Sequence, residues 1–466
     1  MRFRTGLKIG IILVLGLLLF MPLGMIEGLI GERNALRDGV VRDIGRESVD
    51  VQRLIGPVVT VPYKQRIVDT VTEEKDGKTT STKRERFVEG QLTFLPERLA
   101  IGGELTPEER RRGIYKAILY DAALSVEGRF VIPANYGITA ATVGDYEFGM
   151  PVLAVGIADP RGIGGGIQLE WQGEKIQFGP GARAPGMQAG VTAELGRLDP
   201  GGSFDFRYGL ALKGLSRIDF VPTAKDSVVR LKGAWPHPSF YGRYLPKHEI
   251  DDQSFSAEWR TSLLSTNIRQ IYDGCLMGRR CGELDLIAHG VALFQPADIY
   301  QQLERSAKYG FLFIGLTFIA FFLFEVLKRL QIHPVQYGLV GVALATFFLL
   351  LTSLSEHIDF ALAYAVASAA CVALIGFYVC YVLASLTRGL LFAGMLAALY
   401  GMLFVLVRAE ENALLMGSLA LFAMLAIVMI ATRKVNWYEV EAPLRRTATP
   451  SPTGEGWRAG EAGPTT

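Results

Sequence analysis

The sequence has few of the residues from which metal and catalytic sites are usually built. Its 466 residues include only five histidines and four cysteines. None of the histidines shows the H-x-x-x-H or H-E-x-x-H spacing that places two zinc ligands on one helix face. We therefore expect no metal and no cofactor. The five are His237, His248, His289, His333 and His357.

Charge is scarce in the C-terminal part of the chain. Only nine residues between Tyr309 and Ala431 are charged, whereas the whole chain has 48 Lys and Arg and 46 Asp and Glu. This segregation indicates a water-facing domain joined to a membrane block, with the lipid bilayer as a partner. The net charge is only +2 and no basic stripe carries interleaved aromatics, so nucleic acid is not an expected partner.

One uncharged stretch defines the membrane block. Residues 330–355 contain no Asp, Glu, Lys or Arg over 26 positions, and they lie between a basic and an acidic turn. A helix needs about 20 apolar residues to cross the hydrocarbon core of a bilayer, so this stretch predicts a span. Together with similar segments it predicts a five-helix transmembrane bundle over residues 309–327, 337–354, 360–383, 389–407 and 413–431.

The N-terminus has a basic start followed by an apolar run. Arg2, Arg4 and Lys8 precede or flank an uncharged segment at residues 9–26, and no small-x-small cleavage site follows. We predict an uncleaved membrane anchor, with a cleaved secretory signal as the alternative. Residues 32–51 then predict a short amphipathic helix that leads away from the membrane.

Charges at the span ends predict the orientation. Lys and Arg that flank a span remain in the cytoplasm, so the N-terminus is expected inside and the segment after the anchor outside. With six helices in total, Arg388 and Arg433 also fall inside, whereas Glu356 and Asp359 fall outside. The sequence therefore predicts a multi-pass membrane protein with both termini in the cytoplasm.

The exported segment alternates between apolar and polar side chains. One apolar face with period two predicts half-buried antiparallel strands, and many such runs predict one large or two small β-sandwich-like units. Thr106-Pro107-Glu108-Glu109 has instead the pattern of a helix start, with Gly113 expected to end that helix. Alternating runs lie at residues 124–130, 167–171, 204–212 and 255–259.

The predicted fold class is an α+β membrane protein. A β-rich, sandwich-like domain lies between an N-terminal anchor helix and a C-terminal five-helix transmembrane bundle. After residue 447 the chain is rich in Pro, Gly and Thr and lacks apolar residues for a core, which predicts disorder. The predicted parts are an anchor at 1–31, the β-rich domain at 32–305, the bundle at 306–434 and a cytoplasmic tail at 435–466.

Glu325 is the one carboxylate placed well inside an apolar segment of the predicted bundle. An acid within a membrane span is a hypothesis for a functional site. Its spacing to Lys328 and Arg329 also fits an ordinary ion pair near a helix end. Both interpretations stay open, with His333 as a candidate partner across the following turn.

Ser355, His357 and Asp359 are the residue types of a hydrolase triad. Residues two apart on a helix point in nearly opposite directions, so Ser355 and His357 are not expected to meet. A polar turn between two spans is the better interpretation. No other constellation predicts catalysis, and we name no catalytic residues.

The cysteines form two pairs along the sequence. Cys275 and Cys281 lie in the exported domain, where an oxidising compartment would allow a disulfide. Two unrelated free thiols are the alternative. Cys371 and Cys380 lie within one predicted span and are expected to be packing residues.

Short motifs run along nearly the whole chain, and their order resembles that of the CreD family, bacterial inner membrane proteins also called colicin tolerance proteins. The combination is more specific than any single motif. Those outside the bundle are Gly56-Pro57, Val61-Pro62-Tyr63, Arg112-Gly113-Ile114-Tyr115 and Trp235-Pro236-His237-Pro238-Ser239-Phe240. Those in the bundle include Phe321-Phe322-Leu323-Phe324-Glu325, His333-Pro334-Val335-Gln336-Tyr337 and Leu354-Ser355-Glu356-His357.

The resemblance implies a non-enzymatic inner membrane protein that supports cell envelope integrity, with its β-rich domain in the periplasm. It also implies control by a two-component regulator that responds to stress, and contact with an unidentified periplasmic or envelope partner. The alternative is a membrane transporter or channel with a periplasmic accessory domain. That function would need a polar path, for which the bundle offers Glu325, Tyr337, Thr346, Thr352, Ser353 and Tyr364.

The motif at residues 235–240 also has a physical interpretation. Its two prolines lack backbone N–H groups, so the segment is not expected in a central strand. Trp235 and Phe240 would anchor a rigid loop that presents His237. The loop is either a structural corner or a recognition site for an envelope ligand or partner protein.

Overall fold

The computed structural model describes residues 2–75, 78–182, 184, 186–277, 281–294, 299–328, 332–409 and 413–433. The chain divides into two compact units. One comprises Met1–Gly31 and Ile299–Thr466, and the other comprises Glu32–Asp298. The predicted tail at 435–466 lies outside the described residues, and the division into four parts stays a prediction.

Helices and strands are segregated along the chain. The helices are α1 (Arg2–Leu18), α2 (Phe20–Glu47), α3 (Leu263–Thr266), α4 (Ile268–Leu276), α5 (Glu283–Leu286), α6 (Ile299–Lys328), α7 (Pro334–Ser355), α8 (Phe360–Val382), α9 (Leu386–Arg408) and α10 (Ala413–Thr432). The strands are β1 (Gln52–Lys75), β2 (Lys78–Phe94), β3 (Arg98–Arg112), β4 (Tyr115–Val131), β5 (Tyr146–Phe148), β6 (Val152–Ile157), β7 (Gln168–Trp171), β8 (Glu174–Gln177), β9 (Gly179–Pro180), β10 (Gly190–Glu194), β11 (Ser203–Leu215), β12 (Arg217–Val221), β13 (Asp226–Gly233), β14 (Pro238–Gly242), β15 (Lys247–Ile250), β16 (Phe255–Ser262) and β17 (His289–Leu293).

The strands form two sheets, one of nine and one of eight strands among the described residues. The first sheet has the order β14-β17-β12-β1-β6-β10-β9, and β2 and β5 also pair with β1. The second has the order β15-β16-β13-β3-β4-β11-β7-β8. The prediction of a β-rich domain between membrane helices is confirmed.

Apolar side chains of both sheets share one core. Along β11 every second residue is buried and the residues between them are exposed, from Phe204 to Leu212. This alternation is the signature of a strand with one face in the core. Trp259 and Phe130 are among the largest fully buried side chains of this core.

The predicted helix from Thr106 to Gly113 is wrong. The segment lies at the end of β3, and β3 pairs with β4 without interruption to Arg112 and Tyr115. Gly113 adopts φ +62°, as a tight hairpin turn requires. The local helix signal is overridden because strand pairing satisfies the same backbone groups along the whole segment.

Three short helices cover part of the outer face of the first sheet. Ile268 and Tyr272 of α4 and Leu284 of α5 are buried in a second core cluster with Val221 of β12. These helices therefore exclude water from part of the sheet face that points away from the main core.

Five of the described helical segments are long and apolar enough to cross a membrane. They are Gly10–Glu47, Ile299–Glu325, Pro334–Ser355, Phe360–Val382 and Leu386–Arg408. The last predicted span corresponds to α10, whose described apolar part, Leu415–Ile430, is shorter. The structure therefore supports an anchor and four C-terminal spans, and a sixth span stays a prediction.

The N-terminal anchor differs in detail from the expectation. α1 ends at Leu18, and α2 begins at Phe20 and continues to Glu47. Pro22 lacks the N–H that would bond the carbonyl of Leu18, which accounts for the interruption. The predicted amphipathic helix at 32–51 is the continuation of the anchor rather than a separate element.

Candidate functional site

Glu325 is buried near the C-terminal end of α6, with 8% of its surface exposed. Tyr337 Oη donates a hydrogen bond to Glu325 Oε2 at 2.8 Å. The Ile332 backbone N–H donates to Oε1 at 3.5 Å. Because Tyr337 lies in the first turn of α7, the carboxylate joins the end of α6 to the start of α7.

Aromatic rings pack around the phenol of this pair. Phe321 and Phe318 of α6 pack against the Tyr337 ring, with centroids 4.8 and 5.8 Å away. Phe392 of α9 packs on Phe321 at 5.3 Å. Hydrogen bonds are stronger where water is excluded, so the bond from Tyr337 to Glu325 should be an important contact between these helices.

His333 lies at the N-terminus of α7. Its Nδ1 accepts a hydrogen bond from the Val335 backbone N–H at 3.3 Å. The backbone N–H of His333 donates to Gln336 Oε1 at 3.0 Å. This reciprocal arrangement caps the helix. Among the described residues, Tyr337 therefore bonds to Glu325, whereas His333 caps the N-terminus of α7. Arg329 and the side chain of Lys328 lie outside the described residues.

Other polar candidates of the bundle bond to backbone carbonyls. Thr346 Oγ1 donates to Val342 O at 2.9 Å, and Thr352 Oγ1 donates to Phe348 O at 2.8 Å. Tyr364 Oη donates to Tyr400 O at 2.7 Å. These bonds satisfy polar groups inside a membrane span.

The motif at residues 235–240 begins the outermost strand of the first sheet. Trp235 Nε1 donates to Phe294 O at 2.9 Å. Phe240 lies in β14, and its ring packs against Trp259 at 5.7 Å and Phe255 at 5.9 Å. His237 is exposed. The two aromatic residues therefore hold the segment on the core, and His237 lies on its water-facing side.

Cys275 and Cys281 are joined by a disulfide in the β-rich unit. Cys275 lies in the last turn of α4 and is buried in the second core cluster. Cys281 precedes α5 and is exposed. In the bundle, Cys371 and Cys380 are free thiols, and Tyr400 Oη donates to Cys371 Sγ at 3.0 Å.

An ion cluster around one buried acid lies on the outer face of the first sheet. Asp219 of β12 is 1% exposed, and its Oδ2 accepts from Arg53 Nη2 at 3.1 Å. Arg217 Nη2 lies 3.6 Å from the same oxygen. Arg53 Nη1 also donates to Asp285 of α5. Burial raises the pKa of Asp219, and the guanidinium groups of Arg217 and Arg53 oppose that rise.

Sequence reasoning missed this cluster because its members are far apart in the chain. Arg53 and Asp219 face each other only because β1 and β12 pair in parallel with these two residues in register. The one usable signal was Asp219 itself, an acid within the short apolar run of β12, in which Ile218 to Val221 are all buried.

His289 is a second buried ionisable group that sequence reasoning did not single out. It is 1% exposed, and its ring lies 5.8 Å from Trp259 and 5.9 Å from Tyr244. Burial lowers the pKa of His289 to about 4, with a smaller opposing effect of the Ile287 backbone. The imidazole is therefore neutral at pH 7.

The described part of the chain contains no group of three or more His, Cys, Asp or Glu side chains that could hold a metal ion. The chemistry of the polar sites above is that of hydrogen bonds and ion pairs. Two sites stand out for function: the Glu325–Tyr337 pair in the bundle and the exposed side of the 235–240 segment.

The chain is similar to known proteins over most of its length. The family model described as inner membrane protein CreD matches residues 4–438. The inner membrane protein CreD of Escherichia coli (strain K12) is 33% identical over 429 residues, which cover 92% of this chain and 92% of that protein. A crystal structure of a mutant M1 zinc metallopeptidase from Deinococcus radiodurans, bound to a Tyr-Ser-Ala substrate, is 10% identical over 36% of this chain and 39% of that one. Its TM-score of 0.17 carries no argument about fold or activity.

Proposed function

Because the chain belongs to the CreD family of inner membrane proteins, we propose that it supports cell envelope integrity in the bacterial inner membrane without catalysing a reaction. The observation that carries the proposal is the insertion of a large β-rich unit, Glu32–Asp298, between an apolar N-terminal helix and the C-terminal spans. A chain of this order places most of its polar surface on one side of the membrane. Its role is then exerted through contacts of that surface.

The β-rich unit is proposed to lie in the periplasm and to bind an envelope partner, under the control of a stress-responsive two-component regulator. The positive-inside charge pattern supports this orientation, with both termini in the cytoplasm. The segment 235–240 is the proposed recognition site because it forms an edge of the first sheet. Trp235 and Phe240 fix that edge, and His237 and Ser239 are exposed on it.

Site-specific crosslinking tests the partner proposal. A photoreactive amino acid at His237 should give a discrete crosslinked species in living cells, because this side chain faces water on the proposed surface. The matched control is the same amino acid at Leu264, which is 97% exposed on the same unit. Identical products from both positions, or none from His237 in stressed cells, would contradict the proposal.

Substitutions separate recognition from folding at this segment. His237→Ala combined with Ser239→Ala should weaken stress protection while membrane levels stay unchanged, since both side chains are exposed. Trp235→Ala combined with Phe240→Ala removes the indole hydrogen bond and the ring packing, and it should lower the amount of folded protein. Normal protection by the His237 and Ser239 variant would assign the segment a structural role alone.

The alternative function is that of a transporter or channel, and buried Glu325 is the observation that favours it. Intramembrane acids often mark ion or proton pathways. Purified protein in liposomes should then carry ions or small solutes, and Glu325→Gln should abolish that flux. Transport by the wild-type protein would replace the proposal above. Liposomes that carry no ions or small solutes would support the envelope function.

A further inference from the structure

The disulfide joins one short helix of the β-rich unit to a neighbouring helix. α5 has only four residues, and a single helical turn has little stability of its own in water. Leu284 anchors α5 in the second core cluster, whereas Leu286 is exposed. Cys281 lies two residues before α5 and is bonded to Cys275 at the end of α4. The disulfide therefore ties the start of α5 to a helix that is itself packed on the sheet.

α5 carries a carboxylate that completes the ion cluster of the first sheet. Asp285 accepts a hydrogen bond from Arg53 Nη1. The same guanidinium donates through Nε and Nη2 to Asp219 Oδ2, at 3.3 and 3.1 Å. Arg53 thus links an exposed acid on α5 to an acid buried in the sheet. Any displacement of α5 changes the charge balance around Asp219.

The two ends of the disulfide differ in their access to solvent. Cys275 is buried, whereas Cys281 is exposed. An attacking thiolate reacts with the sulfur that it can reach, so attack is expected at Cys281 Sγ. The S–S bond then breaks and Cys275 leaves as a thiolate, which takes a proton from water.

A small dithiol completes the reaction. Its second thiol attacks the mixed disulfide at the donor's own sulfur, and Cys281 leaves as the second thiolate. The donor departs as an internal disulfide. Two electrons and two protons have then passed to the protein, which now holds two free thiols.

We propose that Cys275 and Cys281 form a redox clasp. With the disulfide closed, α5 holds Asp285 on Arg53. With both thiols free, α5 leaves its place and Asp219 alone faces Arg53 and Arg217. The reduced form then presents excess positive charge on the outer face of the first sheet, because two guanidinium groups share one carboxylate.

Hydrogen exchange of the full-length protein in detergent tests the redox clasp. Dithiothreitol is the dithiol, and exchange is followed by mass spectrometry in peptides that cover α5 and, as an internal reference, β4 and β11. Reduction should accelerate exchange of the Leu284, Asp285 and Ala288 amides by about tenfold or more, because these amides donate to the nearby carbonyls of Cys281, Gly282 and Asp285 rather than to a neighbouring strand. Exchange in β4 and β11 should not change.

Three outcomes overturn the redox clasp. The first is exchange in α5 that reduction changes by less than about twofold. The second is faster exchange throughout both sheets, because the disulfide then supports the whole unit. The third comes from Asp285→Asn, which leaves the disulfide intact. If this variant accelerates exchange in α5 as much as reduction does, the ion pair rather than the disulfide holds the helix.

A cysteine variant provides an independent measurement. Cys275→Ser combined with Cys281→Ser should show the fast exchange of α5 without reductant and should not respond to dithiothreitol. If this variant fails to fold, the comparison of oxidised and reduced wild-type protein still decides. Slow exchange in the folded variant would contradict the redox clasp.

Discussion

Glu325 and Tyr337 show how one pair of side chains can determine a turn between membrane helices. The carboxylate near the end of α6 accepts from the phenol in the first turn of α7 and from the Ile332 backbone N–H. The Glu325 side chain thus joins the end of α6, the backbone at Ile332 and the first turn of α7. Water cannot replace these bonds in a dry interior, so loss of either partner is costly.

Tyr337→Phe is predicted to lower the free energy of unfolding of the membrane unit by about 1–3 kcal/mol. The reason is that the substitution removes a donor to a buried carboxylate and leaves the rings around it in place. The matched control is Tyr364→Phe, which removes a bond to a backbone carbonyl. Unfolding in mixed micelles measures both. An equal or larger loss for Tyr364→Phe would contradict the assigned importance of Glu325.

His289 is predicted to make the β-rich unit sensitive to acid. Its folded pKa of about 4 lies below the usual 6.5, so the unfolded chain takes up a proton first as pH falls. Stability is therefore complete above pH 6.5 and decreases towards pH 4. The full effect of this difference is about 3 kcal/mol.

Thermal unfolding at pH 7 and pH 5 measures this dependence. The wild-type protein should lose more stability between these values than His289→Gln, whose amide does not titrate. His248→Gln removes an exposed histidine and should behave like the wild-type protein. The same pH dependence in wild type and His289→Gln would show that other groups are responsible.

Predictability at this scale depends on whether a residue contrasts with its neighbours. Glu325 could be identified because it is an acid in an apolar run. His333 was named as its candidate partner, whereas Tyr337 is the α7 residue that bonds to Glu325, since no local pattern reports how α6 and α7 come together. Arg53 and Asp219 are 166 residues apart, and no sequence pattern pairs these two residues with each other.

At the scale of elements, period-two patterns predicted strands well and local capping patterns did not. β4, β11 and β16 contain the predicted runs because one face of each strand is buried. The segment after Thr106 has a helix-start signal, yet it pairs along its whole length with β4. A cap contributes about 1 kcal/mol, which is less than a full row of strand pairing.

Small residues in α8 illustrate a second limit. This helix is rich in alanine, and small residues allow two helices to approach each other closely. Only one face is buried, with Ala363 and Ala367 fully covered and Ala365 and Ala369 exposed. Residues four apart share a helix face, so the spacing is consistent, but composition alone could not select the face.

Gly341 is predicted to be required for packing between helices of the membrane unit. A Cβ at this position would lie 2.3 Å from Leu19 Cδ1 and 2.9 Å from Phe318 Cζ. The Leu19 side chain could rotate, whereas the ring of Phe318 packs on Tyr337 and has less freedom. Gly341→Ala should therefore lower stability by about 1–3 kcal/mol.

Gly338→Ala is the control for this prediction. A Cβ at Gly338 meets only Leu15 at an ordinary 3.7 Å. Both variants gain the same helix propensity, about 1 kcal/mol, so their difference reports packing. Thermal unfolding in detergent should place Gly341→Ala below Gly338→Ala. Equal transition temperatures would mean that the bundle accommodates the methyl group at Gly341.

At the scale of the whole molecule, segregation of charge was the most informative property of the sequence. It predicted a β-rich domain between membrane helices, and the structure has this order. The number of strands, their order in two sheets and the continuation of the anchor to Glu47 were not predictable. Strand order is determined by contacts between distant segments, and these leave no local pattern.

We propose that the β-rich unit lies outside the cytoplasm while the turn before α9 lies inside. Cysteine labelling in intact spheroplasts tests it most directly. Leu264 is exposed on the β-rich unit, and Thr387 is exposed beside Arg388. The two labelling sites are therefore Leu264→Cys and Thr387→Cys. The unsubstituted protein gives the background from Cys371 and Cys380.

A membrane-impermeant maleimide should label Leu264→Cys in intact spheroplasts and Thr387→Cys only after the membrane is opened. This result follows from the positive-inside distribution of Lys and Arg. Labelling of Thr387→Cys in intact spheroplasts together with protection of Leu264→Cys would reverse the orientation and contradict a periplasmic role.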